Sequence, residues 1–179
     1  VLMLFDATQP VGKVDKQLVD LIVEQQKPVL FVVNKWDLYA GDVERSEWAQ
    51  YLRDTFRTMP WAPIAFVTAT TGRNVKAAID TTQRLFRQSQ ARVPTAALNT
   101  IIHAATQATR PPADRRGRPV RIYFATQVDT APPTIVLSTS SPESLTAPYK
   151  RYLLSSLRKN APFTEVPIKI IVRNHKARE

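Results

Sequence analysis

The 179-residue sequence is 44% hydrophobic and 22% charged, the make-up of a folded chain, and its length allows one ordinary domain or two small ones. It has no cysteine and two well-separated histidines, His103 and His175, which excludes a disulfide frame and a thiolate metal site and gives no footing for a histidine metal cluster. The net charge of +10 is lopsided: residues 1–92 hold 12 Lys/Arg against 10 Asp/Glu and residues 93–179 hold 13 against 5, so a polyanionic partner is expected for the second half.

The apolar run Val1–Asp6 reads as a buried strand ending in Asp6-Ala7-Thr8. Val14, Leu18, Leu21 and Ile22 recur at helical spacing, predicting a helix over about Gly12–Gln26 that Pro28 closes. Val29–Val33 is apolar and mostly β-branched throughout, the pattern of a parallel strand covered on both faces. It runs into Asn34-Lys35-Trp36-Asp37-Leu38, and ligands of open α/β sheets sit beyond such carboxyl ends. An ionised Asp37 accepts only, so it can take both neighbouring donors of guanine, the ring N1–H and the amino group. Adenine would leave it unpaired, a mismatch worth roughly 10⁴-fold in favourable sites. The Lys35 stem can lie along a base plane, and Asn34 offers both a donor and an acceptor. Taken alone, Asn34 and Asp37 serve equally well as turn formers after a strand.

A helix over Asp42–Thr58 follows, striped by Trp48, Tyr51, Leu52, Thr55 and Phe56, with Trp48 read as core. Ile64–Val67 is a third strand, ending in Thr68-Ala69-Thr70-Thr71-Gly72. A third helix over about Asn74–Gln90 sets Val75, Ala78, Ile79, Thr82, Leu85 and Phe86 on one face. Asn-Lys-x-Asp after one strand and Ser/Thr-Ala-x-x-Gly after the next resembles the guanine-reading pair of the translation-factor-like small GTPases. The resemblance implies that Asn34, Lys35, Trp36, Asp37, Thr68 and Ala69 form the GTP site, with the Ala69 N–H on the guanine O6. Thr68 stands where Ser is usual and keeps the hydroxyl.

The four glycines, Gly12, Gly41, Gly72 and Gly117, include no pair spaced for a GxxxxGK[ST] phosphate loop. Three parallel strands with helices are therefore expected to be part of a GTPase sheet, with Val1–Asp6 as an unnatural edge. No catalytic residue and no metal ligand is expected in this chain.

Ala91-Arg92-Val93-Pro94 breaks the helical period, so a boundary is placed between 92 and 93. Thr95 is expected to cap a helix striped by Leu98, Ile101, Ile102 and Ala105. A Pro/Arg-rich loop carries Arg110, Arg115, Arg116 and Arg118. Val120, Ile122, Phe124, Thr126 and Val128 then alternate with Arg121, Tyr123, Ala125 and Gln127, as in a half-buried strand. Thr134–Ser138 returns as a second strand. Ser141-Pro142-Glu143 reads as the start of a helix striped by Leu145, Tyr149, Tyr152, Leu153, Ser156 and Leu157. Val166–Val172 is the last strand, before a basic tail over residues 173–179.

The order α-β-β-α-β describes an α+β fold with helices on a small sheet. Tyr123–Gln127, Pro132-Pro133-Thr134 and Tyr149–Leu153 resemble the C-terminal KH-like domain of the bacterial double-Era-like GTPases, the Der/EngA family. Asp6-Ala7-Thr8 and Asn34–Leu38 fit the second GTPase domain of that family. The resemblance implies a P-loop GTPase domain, present here in part, followed by a KH-like domain. It further implies GTP/GDP as ligand, magnesium only with an upstream part, and the large ribosomal subunit, its RNA and the upstream GTPase domain as partners. The glycine count excludes the GxxG loop by which KH domains clamp RNA. RNA contact is therefore assigned to Arg115, Arg116, Arg118 and Arg121, and Tyr123, Phe124, Tyr149 and Tyr152 to core or domain interfaces. The alternative is an RNA-binding module on a pseudo-GTPase scaffold that does not hydrolyse. No run is long enough to span a bilayer and no signal peptide is visible, so a cytoplasmic setting is expected.

Overall fold

The computed structural model describes residues 1–39 and 44–175. It divides into two compact units, Val1–Gln88 and Ser89–Glu179. No helix among the described residues is long and apolar enough to cross a membrane.

The first unit is built on β1 (Leu2–Asp6), β2 (Leu30–Asn34) and β3 (Ile64–Phe66), parallel and in that order across the sheet. The register pairs Asp6 with Asn34 and Val33 with Phe66, so all three strands end along one edge. β2 is the expected strand covered on both faces, its Leu30 through Val33 all buried. β1 departs from expectation. Met3 and Phe5 are buried, but Leu2 and Leu4, which alternate onto the opposite face of the sheet, stand 47% and 57% exposed.

Helix α1 (Lys13–Glu24) starts where the Gly12 N–H donates to Asp15 Oδ2 at 2.8 Å. It buries Val19 and Ile22, whereas Val14, Leu18 and Leu21 of the expected stripe face outward. Two apolar stripes compete on this helix, and periodicity alone does not choose between them. Helix α2 (Arg45–Thr55) buries Trp48 and Leu52 as expected; the anticipated start at Asp42 lies outside the described residues. Both helices join Met3, Phe5, Phe31 and Val33 in one core. Phe5, Phe31 and Phe56 meet there with ring centroids 5.3–5.8 Å apart. Helix α3 (Val75–Gln90) buries Ala78 and Leu85 and leaves Ile79 exposed.

The second unit runs α4 (Thr95–Ala108), β4 (Ile122–Asp129), β5 (Thr134–Thr139), α5 (Ala147–Asn160) and β6 (Lys169–Asn174), the expected α-β-β-α-β order. β5 is central, antiparallel to β4 and parallel to β6, and is buried along its whole length. Pro94, not Thr95, caps α4. The Ser141-Pro142-Glu143 signature opens only a 3₁₀ turn, Pro142–Ser144, and α5 starts afresh with Thr146 as cap and Pro148 in its first turn. Ser and Pro suit the start of either kind of helix, so the same residues serve both.

β4 is half-buried, but its larger apolar residues face outward. Ala125 is fully buried, while Phe124 and Val128 are 44% and 50% exposed. Asn99 of α4 explains the choice. Its Oδ1 accepts the Ala125 N–H at 2.8 Å and its Nδ2 donates to the Ala125 carbonyl at 3.0 Å. That pair of bonds fixes α4 at the one small residue of the strand and caps the free edge of β4.

Candidate functional site

Parallel pairing brings Asp6, Asn34 and the end of β3 to one edge of the first sheet. Asn34 is the hub. Its backbone carbonyl accepts the Ala7 N–H at 2.9 Å, and its side-chain Oδ1 accepts the Ala69 N–H at 3.1 Å. The two sequence motifs, 35 residues apart, are thus joined by one hydrogen bond. Pairing also runs on past the strands: the Val67 N–H donates to the Val33 carbonyl at 2.9 Å, and the Trp36 N–H to the Val67 carbonyl at 3.2 Å.

Lys35 sits at φ +60°, in the left-handed region that non-glycine residues seldom adopt. This turns its side chain back over the neighbouring strand end, where Nζ meets Asp6 Oδ2 at 2.6 Å. Asp6 Oδ1 accepts the Thr8 N–H at 3.0 Å and the Thr8 hydroxyl at 2.7 Å. The Lys35 ammonium first, and then the Thr8 donors, hold the Asp6 carboxyl down to about 2. Asp6 ends β1, and Lys35 follows the end of the neighbouring parallel strand β2, a juxtaposition that strand order supplies and the motifs by themselves do not.

Trp36 is buried, its ring 4.5 Å from that of Phe66, so it supports the loop from beneath. Asp37 is exposed in the 3₁₀ turn Trp36–Tyr39, with no hydrogen bond or ion pair among the described residues. Thr68 is 3% exposed, and its N–H donates to the Arg73 carbonyl at 3.1 Å. Gly72, at φ +73°, reverses the chain so that this bridge can close. Asn74 Nδ2 donates to the Phe66 carbonyl at 3.0 Å and ties the start of α3 to the sheet. The result is two braced loops presenting an acceptor-only carboxylate, a carboxamide and an exposed backbone segment at Ala69. A cleft of about 480 Å³ between Ala7–Pro10 and Tyr39, Trp48 and Tyr51 lies beside this edge; it takes in Ala7 and Thr8 but no residue of Asn34–Leu38 or Thr68–Gly72.

In the second unit the basic loop is folded. Asp114 Oδ1 accepts the N–H groups of Arg116 and Arg118 at 2.8 and 2.9 Å, and its Oδ2 meets Arg118 Nε and its terminal nitrogen at 2.9 and 2.8 Å. Gly117, at φ +75°, makes the turn. These donors, the Arg118 N–H foremost, lower the Asp114 carboxyl. Arg118 is thereby engaged inside the loop. Arg115, Arg116 and Arg121 are exposed, and neither Arg116 nor Arg121 forms an ion pair among the described residues.

Arg158 is structural. It donates to the carbonyls of Phe163, Thr164 and Val166 at 3.1, 3.3 and 2.7 Å, and burial pulls its guanidinium down to about 10. Tyr149 and Tyr152 are core residues, their hydroxyls bonded to the carbonyls of Thr109 and Ala105. Burial, with Tyr152 alongside, pushes the Tyr149 phenol up to about 12. Tyr123 and Phe124 differ from them: both are exposed on β4.

A sequence-family profile described as the KH-domain-like region of EngA bacterial GTPase enzymes, C-terminal, matches residues 92–173. GTPase Der of Rhodopirellula baltica is 49% identical over all of this chain and 39% of its own length. GTPase Der of Geobacter metallireducens is 36% identical over all of this chain and 41% of its own. The chain thus spans about two fifths of the length of these relatives. A crystal structure of Aquifex aeolicus Era bound to GDP·AlF4⁻ aligns with 97% of this chain and 65% of its own at TM-score 0.40 and 17% identity, a loose likeness.

Proposed function

The chain belongs to the Der/EngA family of bacterial GTPases, and from that premise we propose that it carries the guanine-reading end of a GTPase domain and a KH-like module that docks on ribosomal RNA. The observation that carries this reading is the bond from the Ala69 N–H to Asn34 Oδ1, which holds both loops at one sheet edge with Asp37 exposed beside them. Asp37 takes the two donors of the guanine edge, Asn34 Nδ2 donates to the remaining edge while the Asn34 Oδ1 and Ala69 N–H are paired with each other, and the Lys35 stem lies along the ring. Thr68 and Trp36 act from beneath by bracing the loops.

The donor set fits a purine base and does not fit its phosphates, since no glycine pair here forms a phosphate loop. Hydrolysis and magnesium therefore depend on the remainder of a full-length protein. In that protein β1, an end strand of the sheet in this chain, is the natural edge for further strands. The second unit supplies a basic surface through Arg115, Arg116 and Arg121, engaging the large ribosomal subunit in the cytoplasm.

The test is Asp37→Asn in the full-length protein. An amide donates where the carboxylate accepted, so GTP affinity drops by roughly 10³- to 10⁴-fold and xanthine nucleotides bind better than guanine ones. An unchanged nucleotide preference in competition binding favours a pseudo-GTPase scaffold instead.

A further inference from the structure

The outward apolar face of β4 has a specific chemistry. A cleft of about 720 Å³ opens on the second sheet, walled by Phe124, Val128 and Val136 and rimmed by Arg173 and His175. The pairing of β4 with β5 is irregular between Ile122 and Phe124, and a bulge there re-aims a side chain. As a result Tyr123 and Phe124, neighbours in sequence, both meet the His175 ring. The Tyr123 ring stacks on it at 4.3 Å and 28°, and the Phe124 ring meets it edge-on at 6.0 Å and 80°. His175 Nδ1 lies 3.0 Å from Ser138 Oγ, which fixes the plane of the imidazole. On the other side of Tyr123 a second cleft, of about 460 Å³, is lined by Asp114, Arg118, Arg121 and Ser140.

The rings of Tyr123, Phe124 and His175 are thus flanked by Arg121 in one cleft and by Arg173 at the rim of the other. A nucleotide joins the same two chemistries, a flat ring and the phosphates on either side of it. Paired bases in a duplex do not offer their faces, so the matching form is an unpaired one. A purely apolar peptide would leave Arg121 and Arg173 with nothing to meet. We propose that this face binds an unpaired nucleotide of single-stranded RNA, its base against Phe124 and the Tyr123–His175 stack and its phosphates on Arg121 and Arg173. The proposal rests on reading the second unit as an RNA-docking module, and it places base contact on the sheet face where a GxxG clamp is missing.

The experiment titrates the 179-residue chain, at fixed salt, with labelled octauridine and with a blunt RNA duplex. Replacing both rings, Tyr123→Leu with Phe124→Leu, weakens octauridine binding about tenfold and leaves duplex binding unchanged. Tyr123→Phe keeps the ring and keeps the affinity. In NMR spectra of the unaltered chain, octauridine shifts the ring signals of Tyr123, Phe124 and His175, a readout independent of how the variants fold. Ring signals and double-variant affinity that ignore octauridine, while Arg115→Gln with Arg116→Gln lowers RNA binding, overturn this inference and leave the RNA-docking reading standing. A face that a protein partner covers gives that same result. Absence of binding to either RNA overturns both.

Discussion

The two units use sheets of the same size in opposite ways. In the first, all strands are parallel, so their carboxyl ends converge and the loops after β2 and β3, which carry the proposed guanine site, gather along one edge. In the second, β4 runs against β5 while β6 runs with it, so only the carboxyl ends of β5 and β6, at Thr139 and Asn174, share an edge and that of β4 lies at the other. What the second unit presents instead is the face of an edge strand and a folded basic loop.

Two compact units with separate cores are expected to unfold separately, and the largest stability effects test this. Leu52 in the first unit and Leu137 in the second are both fully buried, so Leu52→Ala and Leu137→Ala each cost about 2–5 kcal/mol. All three tryptophans, Trp36, Trp48 and Trp61, lie in the first unit. Tryptophan fluorescence in urea should therefore move its midpoint for Leu52→Ala and hold it for Leu137→Ala. Equal shifts would mean that the units unfold together.

A smaller effect sharpens the contrast between structural and accessible charge. Arg158→Met withdraws the donor to three carbonyls and costs about 2 kcal/mol. It should leave the salt dependence of RNA binding unchanged, whereas neutralising Arg116 should reduce that slope by about one charge. A lower slope from Arg158→Met would move Arg158 to the interface.

The smallest effect concerns the rim of the first sheet. The Asp6 carboxyl is held below its ordinary 3.8, near 2, so its contribution to stability is fully present above about pH 4 and is lost as pH falls through about 2. A carbon-13 carboxyl titration should find Asp6 still charged at pH 3. A midpoint at the ordinary value would show that the Lys35 pair does not hold in solution.

Much of this architecture was legible from the residues. The unbroken apolar run Val29–Val33 announced a covered parallel strand, and the polar residues after β2 and β3 announced the loops that Asn34 joins. The face of β4 was not legible. A period of two shows that residues alternate, but which set turns inward depends on what approaches, and here Asn99 anchors at Ala125 from 26 residues away. The stripe on α1 failed for a related reason, since Leu18 and Val19 both belong to helical repeats and tertiary packing chose the second. The Asp6–Lys35 pair joins two loops by strand register, which no local pattern encodes.

Asp114 gives the arginine-rich loop its shape before any partner arrives. Two backbone amides and a guanidinium already converge on one carboxylate. If the loop docks as proposed, through Arg115 and Arg116, little chain freedom is forfeited and more of the contact energy survives as affinity. Release of the clamp, as in Asp114→Ala, would leave the total of positive charge undiminished and still slacken the grip.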